Sequence, residues 1–232
     1  EQIGLSLPEM LAIPQGEFTF ALVPYDEGPE AIVLLDTGAQ LANAQGLWLR
    51  LSQHLDKSGA KKSQETIGGT TVNVYDGFLG SGKQDLVFFE KETSVVLASS
   101  LRVARAVLEA WNGGSVKSLA DNPAFAAILR HCRGEKGEES QVTWFVDPVS
   151  LLKAAAQRDP GVLLAVAMLP TLGLDGLQGV GGTMAFDAGQ FDDILQIHLP
   201  LENPRSGVFE ILAVAPGESA PEPWVPADVM RY

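Results

Sequence analysis

Asp36, Thr37 and Gly38 form the tripeptide of this sequence whose residue types point most directly to chemistry. They follow the apolar run Val33–Leu35, so the Asp36 carboxylate is expected at the end of a buried strand. A carboxylate acts as a general acid or base when it shares a proton with a second carboxylate near a water molecule. The chain holds one Asp-Thr-Gly tripeptide, so this chemistry requires two chains to pair.

The segment Val33–Ala39 resembles the active-site turn of retroviral-type aspartic peptidases, and Ile67–Gly69 is similar to their glycine flap. The departures are serious. A helical pattern follows Asp36, Leu97–Ser100 stands where those enzymes have an apolar pair before glycine, and His198 occupies the matching place in the later strand pair. The sequence therefore favours an aspartate that ends a strand, and it keeps Asp36 as a minority catalytic candidate.

A second motif, Gly77–Lys83, has the spacing of a phosphate-binding loop. Gln84 stands where a magnesium-binding serine or threonine belongs, and Asp85–Phe89 continues as a strand. Phosphate binding needs a helix whose N-terminal N–H groups point at the ligand. The context therefore predicts a hairpin loop, and no cofactor is expected.

The residues that bind metals in proteins are sparse and scattered. His54, His131 and His198 fall on separate predicted elements, and the single cysteine, Cys132, has no cysteine partner, so no metal site is expected. Flanking arginines could lower the pKa of the Cys132 thiol. A packed cysteine is favoured, because no orienting partner is evident.

Charge and hydropathy narrow the range of partners. The formal net charge is −13, which argues against nucleic acids and anionic membrane surfaces, since both repel acidic proteins. The longest apolar run, Val162–Leu169, is far shorter than the roughly 20 residues that cross a bilayer. The sequence predicts no direct membrane insertion. It leaves protein as the expected class of partner and leaves the oligomeric state open.

The positioning elements are strands with short connections and helices with capping residues. Glu17–Leu55 is typical of strand, turn, strand and helix, and four short strands follow between residues 62 and 98. Helix starts are marked by Ser99 or Ser100, Asn122-Pro123 and Asp147-Pro148. The pattern predicts an α+β fold with mainly antiparallel sheets that are covered by helices on one face.

A strand-strand-helix order recurs in Gly181–Val214, which predicts a fold built from related units. The expected organisation is a first unit over residues 1–135, a second over 136–215, packed with the first or separate, and a proline-rich tail over 216–232. Both ends look cut, so we expect the chain to be a piece of a longer protein.

Several segments together resemble a family of uncharacterised bacterial proteins, common in planctomycete-type bacteria, whose shared domain has no assigned function. The matching segments are Ile13–Glu17, Gly68–Thr70, Leu97–Leu101, Ser118–Phe125, Gly181-Gly182 and Trp224–Asp228. The resemblance implies an exported, repeat-built protein of the periplasm or cell envelope without a known catalytic set. A cytoplasmic location is the alternative.

Three functions remain open at this point. The favoured hypothesis is a non-enzymatic structural or protein-binding module of an exported protein. The second is a dimeric aspartic peptidase that uses Asp36. The third is a carrier of an apolar ligand held in a sheet-lined cavity.

Overall fold

The computed structural model describes residues 13–25, 27–76, 85–132, 140–157, 159–188 and 191–211, with the backbone alone at residues 187, 188, 191 and 192. The predicted α+β class is confirmed: the described residues form a six-stranded sheet, a three-stranded sheet and six α-helices. Every strand pair in both sheets is antiparallel.

The strands are β1 (Phe18–Val23), β2 (Glu30–Asp36), β3 (Lys61–Ile67), β4 (Thr70–Asp76), β5 (Leu86–Lys91), β6 (Ser94–Ala98), β7 (Val142–Val146), β8 (Val180–Ala188) and β9 (Phe191–His198). The helices are α1 (Leu41–Lys57), α2 (Leu101–Trp111), α3 (Pro123–His131), α4 (Pro148–Ala156), α5 (Pro160–Leu172) and α6 (Val208–Ile211). The predicted helix over Gly207–Val214 is observed only as α6, and residues from 212 onward lie outside the described part.

The first sheet has the strand order β1-β2-β6-β5-β4-β3. Hairpins join β1 to β2, β3 to β4 and β5 to β6, so local connections build most of it. Long-range pairing of β2 with β6 joins the two halves, with Leu34 opposite Val96. The apolar run of β2 therefore lies inside the sheet, as its lack of polar alternation predicts.

Helices cover both faces of the first sheet, where covering on one face was expected. Phe89 belongs to a buried cluster with Leu108 of α2, whereas its neighbour Phe88 belongs to a second cluster with Ala44 of α1. Consecutive strand residues point to opposite faces. Because β5 and β6 are apolar at consecutive positions, each face needs its own helix. Trp48 of α1 stacks on Phe88, with ring centroids 3.6 Å apart.

The second sheet has the order β7-β8-β9, and α3 packs against β8 and β9 on one face. A glycine permits the close approach: a Cβ atom at Gly181 would lie 3.0 Å from the side chain of Ile128. On the same face, the rings of Phe125 and Phe145 meet edge to face at 5.8 Å. We call the face of this sheet that α3 covers the inner face.

The helices α4 and α5 form a hairpin between β7 and β8. Asp147 and Asp159 cap their N-termini by accepting hydrogen bonds from Ser150 N and Gly161 N. The predicted unit boundary at residue 135 stays a prediction; α3, on its N-terminal side, packs on the second sheet. Within the described ranges, none of the helices has both the length and the apolar composition to cross a bilayer.

Candidate functional site

Asp36 is the last residue of β2, and its carboxylate closes the turn that follows. Oδ1 accepts hydrogen bonds from Gly38 N and from Thr93 Oγ1, each at 3.0 Å. The backbone oxygen of Asp36 accepts from Gln15 N at 3.0 Å and from Gly16 N at 3.3 Å. These bonds tie the end of β2 to the segment before β1 and to the β5–β6 turn.

Thr37 secures the same turn from inside the protein. It is fully buried, its hydroxyl donates to Thr93 O at 2.6 Å, and its backbone N–H donates to the same oxygen at 3.0 Å. A buried hydroxyl needs such a partner. The tripeptide therefore has a structural role in the chain, namely to stop β2 and lead into α1.

A peptidase dyad would require a second carboxylate in contact with Asp36. The hydrogen bonds described for its side chain go to an amide and a hydroxyl. The glycine pair compared with a flap is the two-residue turn of the β3–β4 hairpin, where Gly68 and Gly69 take φ values of 55° and 82°. Catalysis by Asp36 between two chains stays a prediction.

Ser99 and Ser100, which the sequence marks as a helix start, have bridging and capping roles. Ser100 Oγ accepts from Val103 N at 3.3 Å, which confirms it as the N-cap of α2, and it donates to Glu30. Ser99 Oγ accepts from Ala31 N at 2.8 Å. Arg102 also pairs with Glu30. This network fixes the start of α2 onto β2.

Two of the three histidines meet on the inner face of the second sheet. His131 at the end of α3 stacks on His198 at the end of β9, with ring centroids 4.3 Å apart and planes 24° apart. Burial lowers the pKa of His198 from its usual value, and the neighbouring His131 lowers it further. His54 lies exposed on α1. Sequence spacing gave no signal for the stacked pair, because the pairing depends on how α3 crosses the sheet.

Cys132 follows His131 and is buried. Burial raises the pKa of its thiol, and the hydrogen bond with Thr183 opposes this shift without reversing it. The backbone oxygen of Cys132 accepts from Thr183 Oγ1 at 3.0 Å. The buried position agrees with the prediction of a packed cysteine, and the raised pKa lends no support to the alternative of a thiol activated by flanking arginines. Among the described side chains, no group of three or more His, Cys, Asp or Glu residues could hold a metal ion.

Among the described helices, α3 makes the most extensive contacts with the β7–β8–β9 sheet, on the inner face. The second face carries apolar side chains, and several of them are exposed. The strand register aligns them in two cross-strand rows, the first of Val142, Met184 and Leu195 and the second of Trp144, Gly182 and Ile197. Leu195 is 55% exposed and Ile197 is 53% exposed. We call this surface the outer face and define it by Val142, Trp144, Val146, Met184, Leu195 and Ile197.

A three-stranded sheet offers a surface about 14 Å wide, and the five residues of β7 add a length of about 17 Å, which together enclose roughly 240 Å². Scattered exposed apolar residues are ordinary on protein surfaces. Here the residues are contiguous, and contiguous apolar patches mark interaction sites. The sequence carries the alternating pattern of Val142, Trp144 and Val146, yet it does not state which face remains open.

The cavities differ from a carrier site. One, of about 80 Å³, is lined by residues that include Asp175, Glu202 and Arg205. A second one, among the described residues, is an open depression of about 490 Å³ whose walls include Glu90, Lys91 and Glu92. Apolar ligands need an enclosed and mostly apolar wall, so neither supports the carrier hypothesis. The phosphate-loop-like segment at 77–83 lies outside the described residues.

Comparison of the chain with protein-family profiles, with curated proteins and with solved structures found no match. The resemblance to planctomycete-type proteins therefore stays a prediction. The function of this chain is therefore inferred from its own exposed surfaces.

The Asp36 turn gives a testable result. Asp36→Ala removes the acceptor for Gly38 N and Thr93 Oγ1, and we expect the free energy of unfolding to fall by about 2 kcal/mol. Asp36→Asn keeps an acceptor oxygen, so we expect it to lose less than half of that amount. Urea denaturation measures both. Equal losses for the two variants would show that the acceptor is not what Asp36 contributes.

The His131–His198 stack predicts a dependence of stability on pH. The folded-state pKa of His198 lies below the usual 6.5, so its neutral form stabilises the fold fully above that pH. This contribution is lost as the pH falls through the lowered pKa, because the unfolded chain takes up the proton more readily. We expect the wild type to lose more stability than His198→Gln between about pH 7.5 and pH 5.

Urea denaturation at both pH values provides the measurement. His131→Gln is the matched control, because it removes the neighbouring ring and should bring the pKa of His198 closer to its usual value. Parallel stability profiles for the wild type and His198→Gln would contradict this account of the stack.

Proposed function

We propose that this chain is a non-enzymatic, protein-binding module and that the outer face of the β7–β8–β9 sheet is its binding surface. The observation that carries the proposal is that Leu195 and Ile197, both more than half exposed, lie in adjacent cross-strand rows on one sheet face, beside Met184 and Trp144. Burial of such a surface against a partner is favourable by about 25 cal/mol for each Å² of apolar area.

The contrast with the rest of the fold supports this surface. Both faces of the first sheet have a helix packed on them, and the inner face of the second sheet has α3. The outer face is apolar like those surfaces but lacks a covering helix in the described structure. A partner that supplies this missing layer would complete the helix-sheet-helix arrangement that the first sheet already has.

A catalytic function has less support. Asp36, the one catalytic candidate, has its carboxylate engaged by Gly38 and Thr93, and Ser100 serves as a helix cap. The net charge of −13 favours a protein partner over nucleic acid.

The location and organisation of the module belong to the same proposal. The resemblance to exported proteins supports a place in the periplasm or cell envelope. The repeat of strand, strand and helix is supported by the similar hairpins β1–β2 and β8–β9, which end at Asp36 and His198. Expression of a fusion to a reporter that is active only outside the cytoplasm tests the location.

The binding proposal predicts which substitution abolishes binding. The wild type, a Leu195→Asp/Ile197→Asp variant and a control Phe18→Asp/Phe20→Asp variant are immobilised and exposed to a bacterial envelope extract. Phe18 and Phe20 are 61% and 59% exposed on β1, so the control places equal charge on a different apolar surface. A protein captured by the wild type is then purified and its Kd for each variant is measured.

We expect the outer-face variant to bind this purified protein at least about 10-fold more weakly, because burying an unpaired charge is costly. The control variant should bind as the wild type does. Circular dichroism checks that each variant is folded. If every captured protein binds the outer-face variant as tightly as the wild type, the outer face is not the binding surface.

A further inference from the structure

The helix α5 has an unusual surface for a helix at the outside of a protein. Its 13 residues, PGVLLAVAMLPTL, include no charged side chain. Leu164 is 68% exposed and Met168 is 47% exposed. A helix that is apolar on all sides is normally buried, and α5 is too short to cross a bilayer. Such an exposed apolar side favours contact with another protein surface.

One side of α5 already has a partner. Val162 and Val166 are half-buried and Leu169 is buried, and these positions share one side of the helix at spacings of four and three residues. α5 packs against α4 and against the short turn at Leu174–Gly176, so part of its surface is already covered. Leu164, Met168 and Leu172, spaced by four residues, lie on the other side and are exposed. We call these three residues the α5 stripe.

The α5 stripe and the outer face match in length and in chemistry. A 13-residue helix is about 20 Å long, and the strands of the outer face extend over about 17 Å or more. The residues that define the two surfaces are uncharged, and Asp193, opposite Phe186 at the far end of the same sheet face, is the nearest charge in the strand register. Both are exposed in the same chain, so they do not cover each other there.

We infer that the partner of the outer face is a second copy of this chain, whose α5 stripe lies across Leu195, Ile197 and Met184. Two-fold symmetry makes the exchange reciprocal: each copy places its α5 on the sheet of the other. The inference rests on the proposed function, because it names the protein that the outer face binds. It gives the second sheet a helix on each face, with α3 on one and the partner's α5 on the other.

The area involved predicts the strength of the association. Two such contacts bury about 900 Å² in total, if each joins a sheet patch of roughly 240 Å² to a helix face of roughly 200 Å². This total lies just below the roughly 1,000 Å² that stable specific interfaces exceed, in the range of weak and transient contacts. The dimer is therefore weak and depends on concentration. Each copy has a net charge of −13, so salt should strengthen it by screening the repulsion.

Sedimentation equilibrium of the whole chain over about 5 to 500 µM, at low and at high salt, measures the association. We expect a monomer–dimer equilibrium whose Kd falls as salt rises. Leu164→Asp on α5 and Ile197→Asp on β9 should each raise the Kd at least about 10-fold. Leu49→Asp is the matched control, because Leu49 is 58% exposed on α1, a helix that belongs to neither surface.

Cross-linking between two single variants tests the reciprocal geometry. Leu164→Cys and Ile197→Cys proteins of different mass are mixed and treated with a short bis-maleimide. Cys132 is buried, so the wild type serves as the background control. We expect the mixed 164–197 product to form more than either product that links identical variants. This result is specific to α5 of one copy meeting β9 of the other.

A chain that remains monomeric at 500 µM in high salt would overturn the inference. So would a dimer that both aspartate variants leave intact, or cross-linking without preference for the mixed pair. None of these results removes a different protein as the partner, which the capture experiment with Leu195→Asp/Ile197→Asp decides separately.

Discussion

The alternation of side chains along the strands is the constraint on which this structure depends. In β5 the neighbouring residues Phe88 and Phe89 are both buried, yet they belong to separate clusters on opposite faces of the first sheet. A sheet that is apolar on both faces is shielded from water only when another element covers each face. The first sheet has α1 and α2 for this purpose. The second sheet has α3 on its inner face, while apolar residues of its outer face stay exposed, as do Phe18 and Phe20 on β1 at the edge of the first sheet. The proposed binding surface is the outer face.

The parts of the fold that sequence predicted are those governed by neighbouring residues. The N-caps at Ser100, Asn122 and Asp147 are confirmed, because the capping oxygen binds an N–H group two or three residues away. The arrangement of helices on the sheets was not predictable in the same way. Helix α1 lies against Phe88 across a sequence separation of about 40 residues, and which face it takes depends on the strand order rather than on its own periodicity.

The same distinction between local signals and long-range placement applies to the candidate surface. The absence of charge in α5 and the apolar alternation in β7 are both visible in the sequence, and each indicates burial. The surface that covers each of them depends on how the elements pack in three dimensions. The stacking of His131 on His198 depends on the same packing. Asp36 illustrates the opposite case. Its tripeptide suggests catalysis, whereas its hydrogen bonds with Thr93 and Gly38 show that it closes a turn. A sequence motif does not show such partners.

Hydroxyl-radical footprinting of the whole chain, diluted and concentrated, tests most directly whether the outer face is a binding surface. At dilution we expect labelling at Leu195, Ile197 and Met168, which are exposed in the single chain. On association these residues should become protected together, while Phe18 and Phe20 on β1 remain labelled. Labelling of Leu195 and Ile197 that does not change while Phe18 and Phe20 become protected would contradict the account, because it would place the contact on the first sheet.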